Sequence, residues 1–230
     1  MSKNDAVTII IPAVNEEKTI SRMIKDSLKY SPLKTFILVV LDSKTKDNTE
    51  KIAKEAGAKV INIGRGRGKG YAFRKAIPLI KTKYCVQIDA DYQFLPKDLK
   101  KMITPLQHDF DLTLGTRYQT GANVEDGSVT TLKRFGSYFL SFATSVASMH
   151  RITDVMAGYK GFRTASLKKI NPKTDHFGYE AELVIKAAQK KMKIVNVPIG
   201  YKKRLVGASN VDSFKHGFLV LQTIINSAVN

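Results

Sequence analysis

Acidic residues are scarce in this chain: 20 stand against 38 lysines and arginines over 230 residues, a net charge of +18. An imbalance of that size points to an anionic partner, whether nucleotide, nucleic acid or lipid headgroup. The lysines are spread along the whole chain, so the imbalance also fits a plain soluble surface. Cysteine is nearly absent. The one thiol, Cys85, falls inside an apparent buried strand, so no disulfide can form within the chain. That fits a reducing cytoplasm. No apolar run reaches the roughly 18 residues of a membrane-spanning helix. The start, Met1-Ser2-Lys3-Asn4-Asp5, lacks the shape of a signal peptide, because the apolar run after it holds Pro12 and gives way to Asn15-Glu16-Glu17. Internal repeats and low-complexity tracts are missing too. The length favours one α/β domain with a small appendage.

What is there is an order of strand then helix, four times over. Ala6–Pro12, Phe36–Leu41 and Tyr84–Ile88 read as uncharged, buried strands, and Lys59–Ile63 as a further strand between the second and the last of them. Helical patterns follow to about Tyr30, over Thr49–Ala56, over Tyr71–Ile80 and from Pro96 to about Gln107. Asn15 is the expected N-cap of the first, with Glu16 and Glu17 in its first turn. The order predicts a parallel, right-handed sheet covered on both faces. Ligands bind at the carboxyl ends of such strands. The polar loops there are Pro12–Glu17, Asp42, Gly64–Gly70 and Asp89–Gln93. In Gly64-Arg65-Gly66-Arg67-Gly68-Lys69-Gly70 the glycines would let backbone amides approach an anion, although the run is neither a Walker loop nor a dinucleotide fingerprint. Asp89 and Asp91 close the fourth strand. A side-chain period of two predicts both carboxylates on one side. With the amide oxygen of Gln93 they form a hard oxygen set suited to Mg²⁺ or Mn²⁺ shared with substrate phosphates.

The second half differs. Phe110–Tyr118 reads as a strand holding Arg117, and Gln119–Val129 as a polar loop. Thr130–Met149 is long, apolar and aromatic, with Lys133-Arg134 at its start and His150-Arg151 after its end. It reads either as an amphipathic helix lying in a membrane interface or as a buried core helix. Asp154–Arg163 is a strand-like return. Phe177–Lys191 is a helix carrying Glu180 and Glu182, and Lys193–Tyr201 is a strand whose Pro198 suits a sheet edge. Gly217–Asn230 is again apolar, a second candidate interfacial helix or the approach to a membrane segment.

Several of these stretches resemble ordered blocks of the family 2 nucleotide-sugar glycosyltransferases. The subgroup they most resemble is the dolichol-phosphate (polyprenol-phosphate) mannose or glucose synthases. Pro12-Ala13-Val14-Asn15-Glu16 resembles that family's Pro-Ala-Tyr-Asn-Glu. Asp42-Ser43-Lys44-Thr45-Lys46-Asp47-Asn48-Thr49 resembles Asp-Asp-Gly-Ser-Thr-Asp-Asn-Thr. Gly68–Arg74 resembles Gly-Lys-Gly-x-Ala-x-Arg, and Asp89-Ala90-Asp91-Tyr92-Gln93 the metal motif Asp-Ala-Asp-Leu-Gln. Gly115–Tyr118, Gly158–Phe162 and Arg204–Ser209 resemble three later blocks in the right order.

The resemblance implies an α/β fold of the GT-A type, a Rossmann-like, mostly parallel twisted sheet covered by helices. Residues 1–210 would form the glycosyltransferase domain, with 1–109 as the nucleotide-sugar half and 110–210 as the acceptor half. Residues 211–230 would be an apolar, membrane-interfacial helix. Pro12, Ala13, Val14, Glu16, Asp42, Lys69 and Asp89 would bind the nucleotide. Asp89, Asp91 and Gln93 would hold Mg²⁺ or Mn²⁺. Arg117, Arg134, Ser137 and Arg204 would grip an acceptor phosphate, Asp91 and Arg117 being the catalytic pair. Ser43, Lys44 and Val14 depart from the family's pattern and leave the choice between GDP and UDP open.

The implied activity is inverting, metal-dependent hexose transfer from GDP-mannose or UDP-glucose to a polyprenyl or dolichyl phosphate. The enzyme would be cytoplasmic and peripheral at the membrane face, with no nucleic acid as partner. An acceptor phosphate is already an anion and needs no general base, which agrees with the lack of an evident catalytic histidine. A soluble enzyme with a hydroxyl acceptor would need one, and Asp154 is then the candidate. The third alternative, a non-enzymatic nucleic-acid binder resting on net charge, leaves Asp89 and Asp91 without a role.

Overall fold

In the computed structural model, residues 5–64, 66–205 and 213–229 are described. The Val206–Ser209 part of the last family-like block and Arg65 of the glycine-rich loop lie outside them. The elements are β1 (Ala6–Ala13), α1 (Ile20–Tyr30), β2 (Lys34–Leu41), α2 (Thr49–Glu55), β3 (Lys59–Asn62), α3 (Lys69–Ala76), β4 (Tyr84–Gln87) and α4 (Leu99–Gln107). They continue as β5 (Leu112–Thr116), β6 (Asn123–Val124), α5 (Thr131–Ser148), β7 (Lys160–Arg163), α6 (Thr164–Ile170), α7 (Tyr179–Gln189), β8 (Ile194–Pro198), β9 (Gly200–Tyr201) and α8 (Ser213–Val229).

Seven strands form the main sheet in the order β3-β2-β1-β4-β7-β5-β8. The first four are parallel, as the buried runs predicted. β7 runs antiparallel between β4 and β5, and β8 is a parallel edge strand that ends in Pro198, where its missing N–H costs no ladder bond. Alternation along β1 sends Val7, Ile9 and Ile11 to one face, against Met23, Leu99 and Ile103. Ile10 goes to the other, with Leu38, Val40, Phe73, Phe162 and Tyr179. Both faces are therefore apolar and both are covered by helices, which is why the buried stretches of β1, β2 and β4 carry no charge, Lys34 and Lys59 standing at the exposed starts of β2 and β3.

Two expected boundaries fail for identifiable reasons. Asn15 does not cap α1. It sits at φ 54°, and its Oδ1 accepts from the Lys46 amide at 2.8 Å, so the helix waits until Ile20. The strand-like return proposed over Asp154–Arg163 pairs only from Lys160, because the preceding residues form a loop tied to α5.

α5 is the second-half segment that read two ways. It buries Ser137, Leu140, Ser141, Thr144 and Ser148 and leaves Phe135, Phe139, Phe142, Val146 and Met149 exposed. Its polarity is inverted because the loop after it needs hydrogen bonds: the Ser141 hydroxyl accepts from the Val155 amide at 3.0 Å, and the Ser145 hydroxyl from the Ile152 amide at 2.9 Å. The core therefore takes the polar stripe, and the aromatic stripe faces out. α8 packs on α5 and α7, with Val220 and Ile224 buried and Phe218 exposed. Among the described residues no helix is long and apolar enough to cross a membrane.

Candidate active site

The loops after β1, β2 and β4 meet at the carboxyl edge of the sheet. Register brings Ala13 beside Leu41, so Pro12–Glu16 and Asp42 are neighbours. Hydrogen bonds lock the two loops together: the Glu16 amide donates to Thr49 Oγ1 at 2.8 Å, the Glu17 amide to Asp47 Oδ2 at 3.1 Å, and the Asn48 amide to Glu17 Oε2 at 3.1 Å. Asp47 and Thr49 of the family-like block are thus scaffold for the first loop. Asp42 Oδ1 accepts from the Lys44 amide at 2.9 Å. Val14 is exposed.

Asp89 and Asp91 do not gain their placement from strand alternation. The sheet pairing ends at Gln87, with a last bond from the Ile88 amide to the Ile10 carbonyl, and a turn with Tyr92 at φ 60° follows. The turn aims the two carboxylates at different cations. Asp89 Oδ1 lies 2.6 Å from Lys69 Nζ, and Asp91 Oδ2 lies 2.7 Å from Arg204 Nη2. Burial raises the Asp89 carboxyl above its ordinary range; Lys69 opposes that shift and Asp91 adds to it. Burial also raises Glu16, which feels Asp91 and Asp89 from the β1 loop. Three carboxylates therefore share one electrostatic field.

Gly158 is the close partner of this turn. A side-chain carbon there would stand 2.2 Å from an Asp89 oxygen, so only glycine admits the carboxylate. The glycine-rich loop works differently from its predicted role. At Gly68 and Gly70 an added carbon would meet the backbone of Thr174–His176, at 2.7 and 2.5 Å, and the Tyr71 amide donates to the Asp175 carbonyl at 2.9 Å. These glycines seat another segment of the chain and deliver Lys69 to Asp89.

Arg117 is expected to grip an acceptor phosphate. Its guanidinium instead holds Asp154, with Nε to Oδ2 at 2.7 Å and Nη2 to Oδ1 at 2.9 Å, between the rings of Tyr118 and Tyr201. Asp154 is fully buried, so it is a counter-ion and not the candidate base for a hydroxyl acceptor. Burial would depress the guanidinium pKa; the adjoining carboxylate outweighs it, and the group stays charged. Gln93, the expected third oxygen ligand, spends its side-chain amide on the Lys202 carbonyl at 3.0 Å and so anchors the segment that carries Arg204.

A cavity of about 830 Å³ lies beside the turn after β4. Lys69, Asp89, Gln93, Arg117, Ser137 and Arg204 line it, whereas Asp91 stands outside the wall and reaches it through its ion pair with Arg204. Arg134 is exposed and outside the wall, where Lys133 stands with Lys203. Leu132, Phe135, Phe139, Phe218 and Leu221 give it an apolar lining as well. His216 also lines it, its Nδ1 buried without a hydrogen-bond partner, although no histidine was expected at the site. Lys133, Lys203 and His216 carry no motif; only their positions, on α5, in the loop after β9 and on α8, reveal them.

A divalent ion fits this donor set. No cage of three or more acidic, histidine or cysteine ligands exists among the described residues. Two carboxylates alone suit an ion that takes its other ligands from phosphate and water. The cations now on Asp89 and Asp91 mark where positive charge is stabilised.

A mostly parallel sheet covered by helices, with an acid pair after its fourth strand and a cavity beside it, is the GT-A architecture of nucleotide-sugar glycosyltransferases. The chain belongs to glycosyl transferase family 2, whose family model matches residues 8–171. It is 30% identical over 230 residues to "Glycosyltransferase AglJ" of Haloferax volcanii, covering 99% of this chain and 74% of the relative. It is 29% identical over 217 residues to a UDP-N-acetylglucosamine–dolichyl-phosphate N-acetylglucosaminyltransferase of Methanococcus voltae, covering 84% of each. Its fold matches glucosyl-3-phosphoglycerate synthase of Mycobacterium tuberculosis in complex with UDP, at TM-score 0.78 and 18% identity, over 98% of this chain and 80% of that one.

Proposed function

We propose that this glycosyltransferase moves a hexose, with inversion, from a nucleotide-diphosphate sugar to a polyprenyl or dolichyl phosphate at a membrane face. The observation that carries the reading is the cavity itself, whose wall joins charged groups to apolar side chains, with Phe135 and Phe139 shared between that wall and the exposed face of α5. An acceptor with a phosphate head and an isoprenoid tail matches both kinds of lining. The M. voltae relative, by its name, uses such an acceptor.

The division of labour follows the chain. Residues 1–109 serve the donor and 110–210 the acceptor, and within 211–230 Phe218 and Leu221 add to the apolar lining. Pro12, Ala13, Val14, Glu16 and Asp42 border the nucleotide, and Lys69 faces its diphosphate. Asp89 and Asp91 hold Mg²⁺ or Mn²⁺, which when bound offsets the charge that builds on the leaving diphosphate. Arg204 and Ser137, with Lys133 and Lys203, hold the acceptor phosphate by charge-assisted hydrogen bonds. Arg117, clamped by Asp154, presents a fixed positive edge to the same phosphate. A phosphate oxygen attacks the anomeric carbon, the bond to the diphosphate breaks, and the nucleoside diphosphate leaves with the electron pair. A single in-line displacement inverts the anomeric centre. Nothing needs to remove a proton, which agrees with Asp154 being buried in an ion pair.

The exposed stripe of α5 is the membrane-facing surface in this reading. Phe142 is 69% exposed and Val146 60% exposed, values that make sense for side chains entering lipid. Lys133, Arg134 and Arg151 flank the stripe and suit anionic headgroups. Phe142→Asp combined with Val146→Asp, both outside the cavity's lining, is expected to cut sedimentation with anionic vesicles by at least about tenfold while nucleotide binding is unchanged. Vesicle binding equal to wild type would remove the membrane surface from the account.

A further inference from the structure

Behind the cavity the charges continue in a chain that the transfer scheme leaves unused. Lys160 at the start of β7 is wholly buried. Its Nζ donates to the Val155 carbonyl at 2.8 Å and the Ala157 carbonyl at 2.6 Å, and meets Glu180 Oε2 at 2.5 Å. Glu180, in the first turn of α7, is 1% exposed. Its other oxygen, Oε1, lies 3.3 Å from Lys69 Nζ and 3.5 Å from Gln87 Nε2, while the Tyr179 hydroxyl fixes Gln87 at 2.9 Å. Lys69 then reaches Asp89 at 2.6 Å. Cation and anion alternate from the core outward to the acid at the cavity wall.

The bland account is that Glu180 neutralises Lys160, since a buried charge needs a partner. It explains one carboxylate oxygen only. The second is turned to Lys69, which stands at a fork between two acids. Asp89 must give up that lysine if a cation is to replace it, and an ammonium leaving one carboxylate in a buried site needs another within reach.

We infer that Glu180 is a positioning residue: held in place by Lys160, it gives Lys69 a second carboxylate, so that Asp89 can exchange the lysine for a divalent cation. The inference rests on the metal reading of Asp89 and Asp91. Without Glu180, Lys69 stays on Asp89 and competes with the incoming ion.

The test is Mn²⁺ binding in the presence of saturating UDP or GDP, read from the paramagnetic resonance signal of the free ion, together with thermal unfolding. Glu180→Gln is expected to weaken Mn²⁺ binding about tenfold, the scale of one charge-assisted hydrogen bond. That variant also changes the net charge and strands Lys160. Lys160→Met combined with Glu180→Gln restores both balances. The double variant is expected to recover the lost thermal stability yet keep the weak Mn²⁺ binding. If it binds Mn²⁺ as wild type does, Glu180 serves Lys160 alone and the inference is overturned. Should the single variant fail to fold, the double variant carries the same comparison. Wild-type protein that leaves Mn²⁺ free would overturn the metal reading and this inference with it.

Discussion

Asp91→Ala is expected to lower sugar transfer by about 10²–10³-fold or more, the scale of losing one preorganised charge-stabilising group. The melting temperature is expected to stay within a few degrees of wild type. Asp91 lies in the turn after β4 and supports no sheet pairing; its side chain accepts from Arg204 and from the Gln93 amide. Arg204 is 30% exposed, so the guanidinium left behind keeps access to water and incurs little desolvation cost. Function and fold thus separate at this residue. A transfer rate equal to wild type, measured at saturating Mn²⁺ and donor, would remove Asp91 from the metal site. A large fall in melting temperature would show that its ion pair is structural.

Asp154→Ala is expected to do the opposite, costing about 3–5 kcal/mol of stability and about 10 °C in melting temperature. Arg117 is 10% exposed at its side chain and Asp154 not at all. Removing the acid leaves a guanidinium in the interior, between two tyrosines, with no anion. It also loosens the loop that carries Gly158 to Asp89, because Asp154 accepts from the Arg117 amide as well, at 3.0 Å. Transfer should fall along with stability. Arg117→Ala added to Asp154→Ala removes the stranded charge and is expected to return part of the lost stability without returning activity. Urea denaturation of the three variants reads this out. A loss under about 1 kcal/mol for Asp154→Ala would mean that water reaches the pair and that it behaves as a surface ion pair.

The donor half was legible from the sequence because its signals are local. Runs such as Val7–Ile11 and Leu38–Leu41 are uncharged because both faces of the sheet are covered, and that pattern survives in one dimension. The acids of Asp89–Asp91 were legible as residues, but their aim was not, since a turn at Tyr92 and not strand alternation sets it. Arg117 and Asp154 are 37 residues apart, and no spacing rule pairs them. The sequence assigns Lys160 and Glu180 no role, and both are buried. Their burial follows from β7 entering the sheet between β4 and β5, a step that local patterns do not encode. α5 showed its apolar content but not its inverted polarity, because only the loop at Ile152–Val155 tells which stripe must face inward.

The most direct test supplies the protein with Mn²⁺, a labelled UDP- or GDP-hexose and polyprenyl phosphate in anionic vesicles, then follows the label. The account expects label in the organic phase, on the lipid phosphate, with inverted anomeric configuration and only when Mn²⁺ or Mg²⁺ is present. Labelled donor that is bound or consumed with no lipid product, while a water-soluble hydroxyl acceptor takes up the sugar, would contradict it.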